Sequence, residues 1–191
     1  MNDIKSICVF CGSNPGANIA YTKNTKVLAE TLVSNNIKLI YGGAALGLMG
    51  SIADNVLSLG GKAIGVMPRA LIDKELAHKN LTEIHIVETM HERKALMADL
   101  SDGFILYPGG IGSLEEFFEI WTWAQLYIHE KPYGILNIEG YYDKLIDFLK
   151  HTAEEKFVHQ DHISGLIIDR SSEILLKKFR EFKPIQANKW L

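Results

Sequence analysis

The residues best suited to chemistry fall in one ten-residue stretch, Tyr107-Pro108-Gly109-Gly110-Ile111-Gly112-Ser113-Leu114-Glu115-Glu116. Three glycines in four positions let a backbone turn sharply and approach a ligand with no side chain in the way. The N–H groups of a following helix's first turn face the same spot and favour an anion, above all a phosphate. Glu115 and Glu116 place carboxylates at the rim of that cradle. Ser113 is expected to be the helix N-cap, with Glu116 three residues on completing a Ser-x-x-Glu capping box. A second cluster, Met90-His91-Glu92-Arg93-Lys94, holds an arginine whose forked donors suit a phosphate or a hydroxyl-bearing sugar. The competing reading of such a cluster is a solvated helix face.

Positioning these groups requires a strand before each cluster and a helix after it. Residues 103–107 form a short apolar run that reads as a buried strand, and 114–127 carry apolar residues at helical spacing. The alternation continues along the chain. Strands are predicted over 6–10, 38–41, 62–67, 84–87, 133–137 and 165–168, and helices over 19–35, 48–59, 90–100, 141–155 and 171–182, with 69–81 the least regular span. Strands this apolar, alternating with helices, predict an α/β fold: a doubly wound parallel sheet with helices on both faces, in a single nucleotide-binding domain over 1–191. Ligands collect at the carboxyl ends of such strands, where the strand order reverses. Cys11-Gly12-Ser13, Gly42-Gly43 and Pro108-Gly109-Gly110 directly follow strands, so Gly12, Ser13, Gly42 and Gly43 join the candidate substrate-binding residues. The turn from Gly42 to Gly50 is not a G-x-G-x-x-G, and no acidic residue closes the next strand. Its glycines serve either tight helix packing or a ligand.

Composition narrows the classes. The chain has 191 residues and a net charge of -3, which offers no basic surface for a nucleic acid. No apolar run is long enough to span a membrane, and the first residues lack a signal-peptide layout, so a cytoplasmic location is expected. Cys8 and Cys11 form a C-x-x-C without further ligands nearby and read as two reduced, partly buried thiols. His159-Gln160-Asp161-His162 lacks a third metal partner and reads as a solvated loop. Neither a metal nor a cofactor is called for. The helix from Leu114 carries apolar side chains around nearly its whole circumference, Phe117, Phe118, Trp121 and Trp123 among them. One sheet covers one face of a helix, so a second copy of the chain is expected on the other, as a two-fold homodimer.

Together these stretches resemble the Lonely Guy family, the cytokinin riboside 5′-monophosphate phosphoribohydrolases, once labelled possible lysine decarboxylases. The likeness runs from Cys8-Val9-Phe10-Cys11-Gly12-Ser13 to about Glu155. It includes Tyr41-Gly42-Gly43 with Gly47-Leu48-Met49-Gly50, Met90-His91-Glu92-Arg93-Lys94, Pro108-Gly109-Gly110-x-Gly112-Ser113-Leu114-Glu115-Glu116, Thr122-Trp123-Ala124-Gln125-Leu126 and Lys131-Pro132. The resemblance implies a Rossmann-like homodimer that hydrolyses the N-glycosidic bond of a nucleoside 5′-monophosphate. It implies Arg93 and Glu116 as the catalytic pair, and Gly109, Gly110, Gly112 and Ser113 as the phosphate-binding loop. Met90 and Lys94, from the arginine motif, complete the expected substrate-binding set. Ser113 stands where threonine is usual, and Ala44-Ala45 where glycine-serine is. Two other readings stay open: a nucleotide- or molybdenum-cofactor carrier without catalysis, and a pyridoxal decarboxylase built on Lys94.

Overall fold

A computed structural model of the chain describes residues 2–75 and 77–185. Its strands are β1 (Ser6–Phe10), β2 (Lys38–Tyr41), β3 (Ala63–Pro68), β4 (Glu83–Val87), β5 (Gly103–Leu106), β6 (Tyr133–Leu136) and β7 (Ile167–Asp169). All pair in parallel, in the order β4-β3-β2-β1-β5-β6-β7. From β1 the chain builds outward to β4, then returns to the other side of β1 and builds outward again to β7. The loops after β1 and β5 therefore leave neighbouring strands in opposite directions and open a crevice between them.

The helices are α1 (Ile19–Ser34), α2 (Gly47–Ser58), α3 (Arg69–Glu75), α4 (Met90–Asp99), α5 (Ile111–Gln125), α6 (Asp143–Glu154), α7 (Gln160–Ser164) and α8 (Ser172–Glu181). The two-residue period of a strand divides them between two cores. Ile7, Val9 and Cys11 face one core with Leu28 of α1, Ile52 of α2 and Phe179 of α8. Cys8 and Phe10 face the other with Met97 of α4, Phe117 of α5 and Ile146 of α6. This is the expected doubly wound α/β architecture. Among the described residues no helix is long and apolar enough to cross a membrane.

Side-chain caps start several helices. Asn18 accepts from the Ala20 N–H at 2.9 Å, Thr89 from Glu92 at 3.1 Å and Ser171 from Ile174 at 3.4 Å. The cap of α5 is a correction. Its N-cap is Gly110, in extended backbone and without a side-chain cap, so the helix starts at Ile111. Ser113 is already its third residue and is buried, and Glu116 stands in the second turn, out of reach of any capping box. Glycine needs no side-chain oxygen to end an extended segment, which is why the Ser-x-x-Glu pattern misplaced the start. The 159–162 stretch is also not a solvated loop: His159 caps α7, and His162 is buried on it.

Candidate active site

A cavity of about 510 Å³ occupies the crevice between β1 and β5. Its rim is knitted by main chain. The Gly12 N–H donates to the Pro108 carbonyl at 3.1 Å, joining the β1 and β5 loops. The Gly12 carbonyl accepts from the N–H groups of Leu48 and Met49 at 3.0 and 3.3 Å, which ties in the start of α2. A β-carbon on Gly47, whose φ is +57°, would stand 2.3 Å from the Ser13 backbone, so only glycine permits this closeness.

Arg93 is buried, against the solvated-face expectation. Its Nε donates to the Val66 carbonyl at 3.1 Å and its Nη2 to the Gly42 carbonyl at 3.0 Å. Those carbonyls, on β3 and just past β2, form a seat that fixes the guanidinium plane. The remaining nitrogen, Nη1, lies 3.9 Å from Glu116 Oε1 and 3.9 Å from the Met90 sulfur. A buried arginine beside a carboxylate, at the mouth of an uncapped helix N-terminus, can hold an anionic substrate and stabilise charge changes on it. Burial pushes the Cys11 thiol far above its usual range and the Cys8 thiol likewise, with the nearby Glu116 carboxylate adding to both. Both cysteines are therefore inert thiols, more fully buried than expected.

Of the expected site residues, Gly12, Ser13, Met90, Arg93 and Glu116 line the cavity. So do Gly109, Gly110, Gly112 and Ser113. Gly42, Gly43 and Lys94 do not line it. Gly42 instead seats Arg93: a β-carbon there would fall 2.0 Å from Nη2. Gly43 packs beside Gly65 and Met67. Lys94 is buried between α4 and α5, with Nζ 2.6 Å from Glu115 and 2.9 Å from Glu119. Burial pulls its pKa down, but the bonds to Glu115 and Glu119 outweigh that and hold it above the ordinary lysine value. Such a group is a charged strut and not a Schiff-base amine, and among the described residues no lysine lines the cavity. Ala44 and Ala45 also stand outside the wall.

The structure adds residues that the sequence did not single out. Leu48 and Met49, present above only as part of a motif and given no site role, make an apolar wall with Leu71 and Met90. Tyr21 and Tyr141 stand near the glycine-rich loop with their rings edge to face, centroids 5.4 Å apart. A doubled tyrosine at 141–142, just before a helix, was their only sequence signal.

Comparison with known proteins places the chain in a family. The sequence model of a family described as possible lysine decarboxylase matches residues 49–179. A cytokinin riboside 5′-monophosphate phosphoribohydrolase of Arabidopsis thaliana is 44% identical over 180 residues, covering 94% of this chain and 84% of its own. A probable cytokinin riboside 5′-monophosphate phosphoribohydrolase of Oryza sativa subsp. japonica is 43% identical, covering 94% and 73%. Among solved structures, the molybdenum cofactor binding protein of Rippkaea orientalis superposes with a TM-score of 0.68 at 18% identity, over 93% of this chain and 96% of that one. The molybdenum cofactor carrier protein of Chlamydomonas reinhardtii gives 0.67 at 15%, with coverage of 93% and 96%. At such identity these two report the fold alone. The family match and the close relatives together decide membership: the chain belongs to the possible lysine decarboxylase family, in its Lonely Guy branch of cytokinin riboside 5′-monophosphate phosphoribohydrolases.

Proposed function

We propose that the chain hydrolyses the N-glycosidic bond of purine nucleoside 5′-monophosphates, including those of N6-modified adenines, releasing the base and ribose 5-phosphate. The observation that carries this reading is the meeting of Arg93 and Glu116, 3.9 Å apart, in a cavity that ends on the uncapped first turn of α5. The phosphate sits on Gly109, Gly110, Gly112 and Ser113, where helix N–H groups and the helix dipole favour it. The base lies against the apolar wall of Leu48, Met49, Leu71 and Met90. Gly12 and Ser13 border the sugar.

Cleavage of the bond between C1′ and the base nitrogen leaves a cation-like sugar, and the base departs with the electron pair and takes a proton from solvent, to which Glu116 afterwards releases the one it has accepted. Glu116 offsets the positive charge and accepts a proton from the water that attacks C1′. Arg93, held by two backbone carbonyls, orients the nucleotide and balances negative charge on the phosphate or the departing base. A carboxylate acting this way contributes about 10²–10⁴ in rate.

The test is a panel of nucleotides and nucleosides incubated with pure protein and scored for released base. AMP and N6-substituted AMP should be cleaved, and adenosine only slowly, because binding energy from the phosphate supports the chemistry at the sugar. Comparable rates on adenosine and AMP would defeat the reading.

We also read the chain as a homodimer. Phe117, Ile120 and Trp121 of α5 are buried within one chain, whereas Leu126, Tyr127 and Ile128 just beyond its end are exposed. Leu114, Phe118 and Trp123 are half-buried. This apolar surface is what a second copy would cover. Light scattering at micromolar concentration should give twice the chain mass or a multiple of it; a monomer defeats the assignment.

A further inference from the structure

Three consecutive carbonyls of the glycine-rich loop are each held by a donor from outside it. The Tyr142 hydroxyl donates to the Tyr107 carbonyl at 3.0 Å, the Gly12 N–H to Pro108 at 3.1 Å, and the Tyr141 hydroxyl to Gly109 at 2.8 Å. A carbonyl oxygen turned toward a phosphate would repel it, so holding these groups elsewhere matters to an anion site. It matters most where the peptide can rotate easily. The peptide between Gly109 and Gly110 joins two residues without side chains, and Gly110 has open space where a β-carbon would stand.

Among the described residues no peptide is cis, so each N–H there points opposite the carbonyl of its own plane. With the Gly109 carbonyl on Tyr141, the N–H of Gly110 is directed to the other side of the loop. Gly110 is the N-cap residue of α5, so its N–H adds to the donors of the helix's first turn. The Tyr107–Pro108 plane differs, because proline carries no N–H and nothing in that plane can be presented to a ligand.

Tyr141 is partly exposed, but its neighbours fix its position. It follows the 3₁₀ turn Ile138–Gly140, its ring meets Tyr142 edge-on at 4.6 Å, and Tyr21 packs against it. The Tyr107 hydroxyl in turn donates to the Tyr21 carbonyl at 2.5 Å, so the aromatic group is tied back to the strand that carries the loop. Removing one hydroxyl leaves these ring contacts in place.

We propose that Tyr141 is a positioning residue for the substrate phosphate: its hydroxyl locks the Gly109–Gly110 peptide so that the Gly110 N–H serves the anion. This rests on the reading that the loop binds the phosphate. The experiment compares the wild type with Tyr141→Phe and Tyr142→Phe, measuring kcat and KM on AMP and inhibition by inorganic phosphate and by adenine. For Tyr141→Phe, KM for AMP and the inhibition constant of phosphate should both rise roughly tenfold, the change in KM exceeding that in kcat, while inhibition by adenine stays put. Tyr142→Phe should lower Tm and leave phosphate inhibition at the wild-type value. An unchanged phosphate constant in Tyr141→Phe overturns the proposal, and so does a Tyr142→Phe variant that loses phosphate to the same degree, since that marks general support of the loop. A wild type that ignores phosphate and cleaves adenosine as fast as AMP removes the underlying reading instead, and does so before either variant is made.

Discussion

Two glycine-rich strand-to-helix turns flank the β1 loop at the carboxyl edge of the sheet, and they do opposite things. In the turn from Gly42 to Gly50 every opening is filled. The Gly12 carbonyl takes the first N–H groups of α2, the Gly43 carbonyl accepts from His78 N–H at 3.0 Å, and Arg93 occupies the space beside Gly42. A β-carbon on Gly50 would stand 2.1 Å from the Ala45 carbonyl oxygen. In the turn from Pro108 to Ser113, Gly110 and Gly112 face open space, and α5 starts without a side-chain cap. Glycine content alone does not make an anion site. What separates the two turns is whether another part of the chain has already taken the helix's first N–H groups.

The sharpest test of the open turn is Glu116→Gln. Because Glu116 lies a full turn inside α5, glutamine there changes no cap, and stability should hold within about 1 kcal/mol. Turnover should fall on the order of a hundredfold or more, as expected on removing a catalytic carboxylate. Steady-state assays beside a thermal melt decide it, and near-normal turnover would leave the open turn without chemistry.

The closed turn is tested by Gly42→Ala. The new methyl group collides with the end of the Arg93 side chain and presses on the Met49 sulfur, both flexible side-chain ends, so the fold should survive with a loss of about 1–2 kcal/mol from the displaced hydrogen bonds. Activity should nevertheless drop roughly tenfold or more, because the guanidinium leaves its seat. A fully active Gly42→Ala enzyme would show that the seat is only packing. The outcome matters because this glycine never touches the cavity.

How legible all this was depends on the range of the interactions. The alternation of strand and helix is local, and it foretold the sheet, the two faces and the three loops at one edge. Arg93 was ambiguous because the carbonyls that bury it come from Gly42 and Val66, and nothing in Met90-His91-Glu92-Arg93-Lys94 encodes them. The start of α5 was misplaced because a glycine N-cap leaves no side-chain signature, whereas Ser113 offers a misleading one. Tyr141 leaves little trace in the sequence because its partner is a backbone carbonyl from a different loop. Helix α3 fell in the polar span from 69 to 81 that showed no regular pattern, although Leu71 on it reaches the cavity wall.

A smaller effect is expected at the strut between the two motif helices. Lys94→Met leaves Glu115 and Glu119 without their shared cation and should cost about 1–3 kcal/mol at pH 8, reduced by the exposure of Glu115. The sign with pH follows from the raised lysine pKa. The strut's stabilisation is whole below the unfolded-chain value of about 10.4 and is lost as pH rises through the higher folded value. Melting curves from pH 8 to 11 should therefore fall more steeply in the wild type than in Lys94→Met, on top of the decline that the buried cysteines and tyrosines give both proteins. Parallel curves would show that the strut contributes nothing measurable.

The smallest expected change runs in two directions at once. At Gly112, in the first turn of α5 with open space around it, alanine should raise stability by about 0.5–1 kcal/mol through helix propensity. The same methyl group enters the space proposed for the phosphate, so KM for AMP should rise severalfold. A gain in stability with no change in KM would mean that the phosphate keeps clear of Gly112.

The knot at Gly12 has a consequence for divergence. The rim of the cavity is closed by main-chain bonds from Gly12 to Pro108, Leu48 and Met49, and main-chain bonds are blind to side-chain identity. Mutations at Ser13, Leu48, Met49 or Leu71 can therefore alter the shape and polarity of the wall without untying the loops that frame it. A lineage carrying this frame can retune which base it accepts in small steps, limited at Leu48 and Met49 by their share in the buried core. The glycines that make the knot are the positions where such drift must stop.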